Sequence, residues 1–228
     1  MKKRILGRGL AVALALAFSL AILATAIYVP ATADWMMLPL MKRFAPPEDT
    51  RLPAEEYAPV VSMITAYLQG DDIPFQHIFT ADGTQYAAFN QKEQHHMADV
   101  QDLFRLCRGG GWVCAALVIA LAITLRKDFP WRTVSRTLIA LLATVTVLII
   151  LACVDFNSLF VLFHRIAFTN DLWLLNPQTD LLIRLMPIEF FISYAAIIGG
   201  IWLAGMVGLL VFATYCIKRT NEVGPTPD

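Results

Sequence analysis

Four stretches of this chain carry no Asp, Glu, Lys or Arg: Gly9–Ala33, Gly109–Leu125, Thr137–Val154 and Phe190–Ile217. A helix needs about 20 mostly apolar residues, within a range of roughly 17 to 25, to cross a hydrocarbon core. The second stretch is the shortest that meets this length, and the fourth is long enough to tilt. None shows the two-residue alternation of a barrel strand, so the pattern predicts helices, which satisfy their own backbone groups inside the membrane.

The segments between these spans have patterns of their own. Tyr57, Val60, Val61, Ile64, Tyr67 and Leu68 recur at helical spacing, and Gly70-Asp71-Asp72 with Pro74 stops the run, which predicts an amphipathic helix. Phe75–Thr80 and Thr84–Phe89 flank Asp82-Gly83, a turn pair suited to a hairpin. Asn90 followed by Glu93 makes a capping box, and Met97, Val100, Leu103 and Phe104 supply the stripe of a helix along the membrane border. The triplet Gly109-Gly110-Gly111 then allows a break where this helix turns into the second span. Between the third and fourth spans, Phe156, Leu159, Phe160 and Phe163 fall at i, i+3, i+4 and i+7, a helix expected to lie in the interface with its aromatic face in lipid. That run breaks at Asn170-Asp171 and Asn176-Pro177 and resumes at Asp180-Leu181-Leu182-Ile183-Arg184. It reads either as a peripheral anchor with Trp173 as a belt residue, or as a re-entrant wall around a lipid-accessible pocket.

Composition agrees with membrane insertion: 57% of residues are hydrophobic, 16% are charged and the mean hydropathy is +0.60. The fold class expected is an all-α integral membrane protein, a four-transmembrane-helix bundle with interfacial or re-entrant helices and a small extracellular cap holding a candidate β-hairpin. Residues 1–228 form one membrane domain in this reading, with an outer cap at 34–108 and an outer interfacial segment at 155–189.

Charge sets the orientation. Lys2, Lys3, Arg4 and Arg8 precede the first span, Arg126, Lys127, Arg132 and Arg136 fall between the second and third, and Lys218 and Arg219 follow the fourth. The positive-inside rule therefore puts both termini and the short loop in the cytoplasm and both long segments outside. The formal net charge is zero, and no basic stretch suggests a nucleic-acid partner. Ala31-Thr32-Ala33 has the form of a signal-peptidase site, but Leu10–Val29 outruns the apolar core of a cleaved signal, usually about 7 to 15 residues, and retention as an anchor is the expectation. Cys107, Cys114, Cys153 and Cys216 have no paired spacing and read as small packing residues.

Two histidine-bearing stretches flank the spans, one around His95-His96 and one at Phe163-His164-Arg165. Ionisable groups are costly at a membrane border, which makes each a candidate site. His96 and Asp99, three apart on a helix, share a face, so the carboxylate can fix the imidazole tautomer and raise its basicity. His95 points about a third of a turn away. A solvated polar face is the competing reading of the same spacing.

Glu93-x-x-His96-Met97-x-Asp99-Val100, Phe163-His164-x-x-x-Phe168-x-Asn170-Asp171-x-Trp173, Asp180-x-Leu182-Ile183 and Pro187-x-x-Phe190-Phe191 together resemble the signature of the bacterial lipoprotein intramolecular transacylases. The resemblance is specific from Glu93 to Phe191 and weak over Pro30–Tyr86. It implies an acyltransferase that moves the sn-2 acyl chain of a diacylglyceryl lipoprotein to the α-amino group of the same N-terminal cysteine, at the outer leaflet. A diacylated lipoprotein and membrane lipid are the implied partners, and neither cofactor nor metal is implied.

Ester aminolysis needs a neutral amine and a base, and imidazole suits that role. In that light His96, oriented by Asp99, is expected as general base and His164 as oxyanion stabiliser and acid, with an exchange of the two roles left open. Arg165 and Asn170 are further oxyanion donors, Phe160 and Phe163 would line the entry and hold the acyl chains, and Trp173 is a further substrate-binding candidate. Two other readings stand beside this one. A zinc-dependent membrane hydrolase would use His95, His96, Asp99 and His164, although H-H-x-x-D lacks the H-E-x-x-H arrangement, and a binding or scaffold subunit would use the histidines only as interfacial hydrogen-bonding groups.

Overall fold

The computed structural model describes residues 2–81, 83–126 and 129–222. Asp82 of the expected turn and Lys127 of the basic loop lie outside the described residues. The chain runs through α1 (Lys2–Ala31), α2 (Asp34–Phe44), α3 (Pro47–Thr50), a 3-10 turn at Ala54–Glu56, α4 (Tyr57–Gln69), β1 (Ile78–Ala81) and β2 (Thr84–Ala87). It continues through α5 (Gln91–Leu125), α6 (Trp131–Val154), α7 (Phe156–Ala167), α8 (Leu181–Leu185) and α9 (Ile188–Glu222). Among the described residues four helices are long and apolar enough to cross a membrane, α1, α5, α6 and α9, each carrying all or nearly all of one of the charge-free stretches.

The glycine triplet does not break the chain, contrary to the sequence expectation, because α5 continues through it as one helix. One of these glycines serves packing instead: a Cβ on Gly111 would sit 2.9 Å from the Ala24 Cβ of α1. Lipid tails are as apolar as leucine, so helices in a membrane associate by close van der Waals fit, and small residues at the contact permit it. Gly205 of α9 has the same relation to Ile22, whose Cγ2 would lie 3.1 Å from an added Cβ.

Two compact units emerge. The first comprises residues up to Ala26, Gly109–Val154 and residues from Gly199 onward. Its core joins Ala11, Leu14 and Ala15 of α1, Leu121 and Leu125 of α5, Val134 and Leu138 of α6, and Trp202 and Met206 of α9. Trp202 Nε1 donates to Ser19 Oγ at 3.1 Å, which satisfies the indole N–H inside that core.

The second unit comprises Ile27–Arg108 and Asp155–Ile198. All six apolar positions predicted for α4 are buried, and Gly70 ends it at φ 99°, the left-handed conformation glycine adopts without a Cβ penalty. The sequence reading did not anticipate α2 or α3. The phenol of Tyr57 ties their ends to α4, donating to Ala45 O at 2.5 Å and meeting Thr50 Oγ1 at 2.7 Å. β1 and β2 pair antiparallel from Ile78↔Ala87 to Ala81↔Thr84, and Gly83 supplies the positive φ of the turn. Phe75 and Phe89, outside these strands, meet at a tilt of 44° with ring centroids 4.7 Å apart, and Gln76 pairs with the Phe89 backbone through both its amide nitrogen and its oxygen.

The aromatic run of α7 divides rather than facing one way. Phe160 turns onto Phe191 of α9, with ring centroids 4.8 Å apart, while Phe163 is half exposed beside Leu162 and Ile166. Asp155 caps α7 by accepting from Ser158 N at 2.9 Å.

Candidate active site

A clasp of polar groups brings the two outer segments together. Glu93 closes the expected capping box, accepting from Asn90 N at 2.8 Å while Asn90 Oδ1 accepts from Glu93 N at 3.1 Å. Its other carboxylate oxygen accepts from Leu182 N at 2.6 Å, so one side chain caps the start of both α5 and α8. Asp180 completes the tie, accepting from Asn90 Nδ2 at 2.9 Å, Thr179 Oγ1 at 2.7 Å and Asn176 N at 2.8 Å. Burial pushes the Glu93 carboxyl upward against the Leu182 and Asn90 N–H groups. For Asp180, burial acts in the same direction, but the Asn176, Thr179 and Asn90 donors outweigh it and hold the carboxyl below its ordinary value. The sequence reading placed Glu93 only as a cap and gave Asp180 no role. A lone carboxylate at the head of the apolar run Leu181-Leu182-Ile183 was the available signal.

Held by this clasp, His96 from the part of α5 that precedes its apolar stretch and His164 from α7 face each other. Both are buried, and their ring centroids lie 6.2 Å apart at 33°. Phe168 stands edge-on to His96 at 5.2 Å and lies 5.6 Å from His164. Phe160 covers His164 at 4.2 Å, Trp173 lies at 5.1 Å, and Phe163 meets it edge-on at 5.3 Å. An aromatic box therefore surrounds the pair, and Phe168 belongs to it although the sequence reading gave that residue no site role.

The hydrogen bonds decide what each ring offers. His164 Nδ1 lies 2.7 Å from Phe160 O. A carbonyl only accepts, so Nδ1 carries the proton, and in the neutral ring Nε2 is left as a lone pair. Among the described residues His96 Nδ1 is buried without a partner, an unusual state for a buried polar atom and one expected where a substrate supplies the missing bond. Burial is the main reason both rings resist protonation. For His96 the neighbouring His164 adds to this and Asp99 opposes it, leaving its pKa at about 4. For His164 the bond to Phe160 O opposes the lowering.

The expected bond between His96 and Asp99 is not made. Asp99 Oδ2 instead accepts from Asn170 Nδ2 at 2.9 Å, and Asn170 Oδ1 accepts from Leu172 N at 3.0 Å. The shared helix face is real, but a partner from the second outer segment takes the carboxylate. Its role is to hold the Asn170 turn that leads into Trp173, and burial lowers the basicity of His96 more than Asp99 raises it. Arg165 and His95 are exposed, so neither converges on the facing rings.

A helical membrane protein with two neutral imidazoles in an aromatic box fits proton transfer beside a lipid. The sequence model of the family described as lipoprotein intramolecular transacylase Lit matches residues 12–191. The chain belongs to this lipoprotein intramolecular transacylase family and is an integral membrane acyltransferase. Among solved structures it is similar to the membrane-integral lipoprotein intramolecular transacylase Lit of Bacillus cereus, with 21% identity over 95% of this chain and 98% of that one and a TM-score of 0.79. Two further structures of that protein, with a histidine replaced by arginine or by alanine, match at TM-scores of 0.79 and 0.75. They show 19% and 21% identity, cover 97% and 96% of this chain, and are covered over 96% and 97% of their own. A comparison with curated protein sequences gives no match. Family membership favours acyl transfer over the hydrolase and scaffold readings.

Proposed function

We propose that the chain transfers the sn-2 acyl group of a diacylglyceryl lipoprotein to the α-amino group of the same N-terminal cysteine, with His164 as general base and His96 as the donor to the oxyanion. The observation that carries these roles is the bond from His164 Nδ1 to Phe160 O, which aims the Nε2 lone pair elsewhere, 6.2 Å centroid to centroid from the other imidazole. The neutral amine attacks the ester carbonyl, and the proton it sheds goes to His164 Nε2. A His96 N–H meets the negative oxygen of the tetrahedral intermediate. Collapse breaks the C–O ester bond, and His164 returns the proton to the departing glyceryl oxygen. Atoms balance within one molecule and no co-reactant enters. Because amine and ester share that molecule, holding them in attack geometry supplies several kcal/mol, up to roughly 7 to 11 in ideal cases.

The site belongs at the outer leaflet in this reading, with both termini cytoplasmic, supported by the concentration of Lys and Arg at Lys2–Arg8, Arg126–Arg136 and Lys218–Arg219. The half-exposed Phe163, with Leu162 and Ile166, supplies an apolar face through which acyl chains reach the rings from lipid.

Alanine at His96 or at His164 is expected to lower turnover of a diacylated lipopeptide by about 10² or more. His77 is the control: its ring pairs with Glu56 at 2.7 Å near the hairpin, and His77→Ala should stay near wild type. Wild-type turnover by a folded His164→Ala protein would overturn the base assignment.

A further inference from the structure

The first unit carries a feature that acyl transfer does not use. The start of α1, the end of α5, the start of α6 and the end of α9 surround an open cavity of about 1030 Å³, just above the usual volume of small-ligand clefts, about 300–1,000 Å³. Lys3, Arg4, Arg8, Arg126 and Arg132 line it, and no carboxylate does among the described residues. The two ion pairs among the described residues, His77–Glu56 and Arg105–Asp102, involve none of these cations. Two aromatic rings, Phe129 and Trp131, share the lining with these cations. Phe129 stacks on Trp131 at 4.0 Å, and Trp131 stands edge-on to Phe212 of α9 at 5.3 Å.

Orientation by positive charge requires only that cations sit at this end of the helices. It requires neither a concavity nor aromatic rings beside them. A phosphodiester with its glycerol and upper acyl carbons needs both: guanidinium groups that grip phosphate oxygens in pairs, and an apolar surface just below. Four of the five lining cations are arginines. Basic pockets between transmembrane helices bind anionic lipid headgroups in this way.

We propose that this cavity binds the phosphate group of an anionic phospholipid headgroup, with Arg126 and Arg132 as the phosphate ligands and Trp131 as the platform for the first acyl carbons. The bound lipid ties the ends of four helices together and is distinct from the acylated substrate. The proposal stands whether or not the acyl-transfer roles above are right, since its readouts are binding and stability.

The test uses the purified full chain in nanodiscs of phosphatidylcholine alone or with added phosphatidylglycerol, and reads the unfolding temperature. Phosphatidylglycerol is expected to raise it by several degrees for wild type and for Arg136→Gln/Arg219→Gln, which removes two cations outside the cavity lining. Arg126→Gln/Arg132→Gln should lose at least half of that rise. Millimolar inorganic phosphate in phosphatidylcholine discs should give no comparable rise. A second measurement needs no variant: a photoactivatable phosphatidylglycerol should crosslink to wild-type peptides carrying Trp131 or Lys3. Equal losses in the two double variants would reduce the effect to surface charge and overturn the site. Stabilisation by phosphate alone would overturn the lipid as its occupant, and crosslinks confined to other peptides would overturn its location.

Discussion

His96 and His164 titrate out of step with ordinary imidazoles, and the direction has consequences for the pH dependence of the reaction. Burial keeps His96 neutral down to about pH 4 and lowers His164 as well. Protonation of His96 therefore does not set the acid limb of the rate profile. The substrate amine does, with a pKa of about 7.7 to 8.0 in the free state. The expected profile of kcat/KM rises with pH through that range and has no inflection at about 6.5, the ordinary imidazole value. A single inflection near 6.5, lost in His96→Gln, would show that this ring titrates as if exposed. The same shift bears on stability. Between about pH 6.5 and 4 the unfolded chain binds a proton at this position that the folded chain refuses, so stability is complete above that window and falls as pH drops through it. At this scale the sequence identified both imidazoles but not their roles. Spacing on one helix paired His96 with Asp99, whereas Asn170, 71 positions from Asp99, takes the carboxylate. Long-range competition of that kind leaves no mark on local periodicity.

At the scale of elements, α4 and α5 were legible because apolar spacing and capping chemistry are local. All six predicted α4 positions are buried, and the Asn90–Glu93 box forms. What escaped was the second duty of Glu93 at Leu182 N, which joins α5 to α8 and so presents His96 toward the segment that carries His164. Glu93→Ala would leave the N–H groups of Asn90 and Leu182 without their acceptor, and the buried one, Leu182 N, costs roughly 1–3 kcal/mol. The expected outcome is a lower unfolding temperature together with reduced turnover, while Glu93→Gln, which keeps an acceptor oxygen, should recover part of both. Unchanged stability in a folded Glu93→Ala protein would remove the clasp from the account. The uninterrupted α5 corrects another local inference. Three glycines weaken a helix without obliging it to break, and the contact of Gly111 with Ala24 gives one of them a packing reason.

For the whole molecule, charge-free stretches of sufficient length announced the four spans, and the structure extends each into a longer helix. The two outer segments were harder to read, because α2, α3 and α8 are short or mixed in character and take their form from the core around Tyr57, Leu52, Phe89 and Leu185. Orientation is open to direct test. Reporters fused after Lys218 are expected to read cytoplasmic and those inserted at Asp72 external, as the distribution of Lys and Arg requires. An external reading after Lys218 would put the histidine pair on the opposite leaflet from the one proposed.

The central claim is that an acyl chain moves within one molecule from ester to amine. It is tested most directly by mass spectrometry of a diacylated lipopeptide incubated with the purified wild-type chain and with the His164→Ala protein. Transfer leaves the intact mass unchanged, and fragmentation places one acyl chain on the α-amino group in the wild-type sample and on glycerol in the variant sample. A fall in mass by one acyl group with release of free fatty acid would mean that water, not the amine, is the acceptor, and would contradict the account.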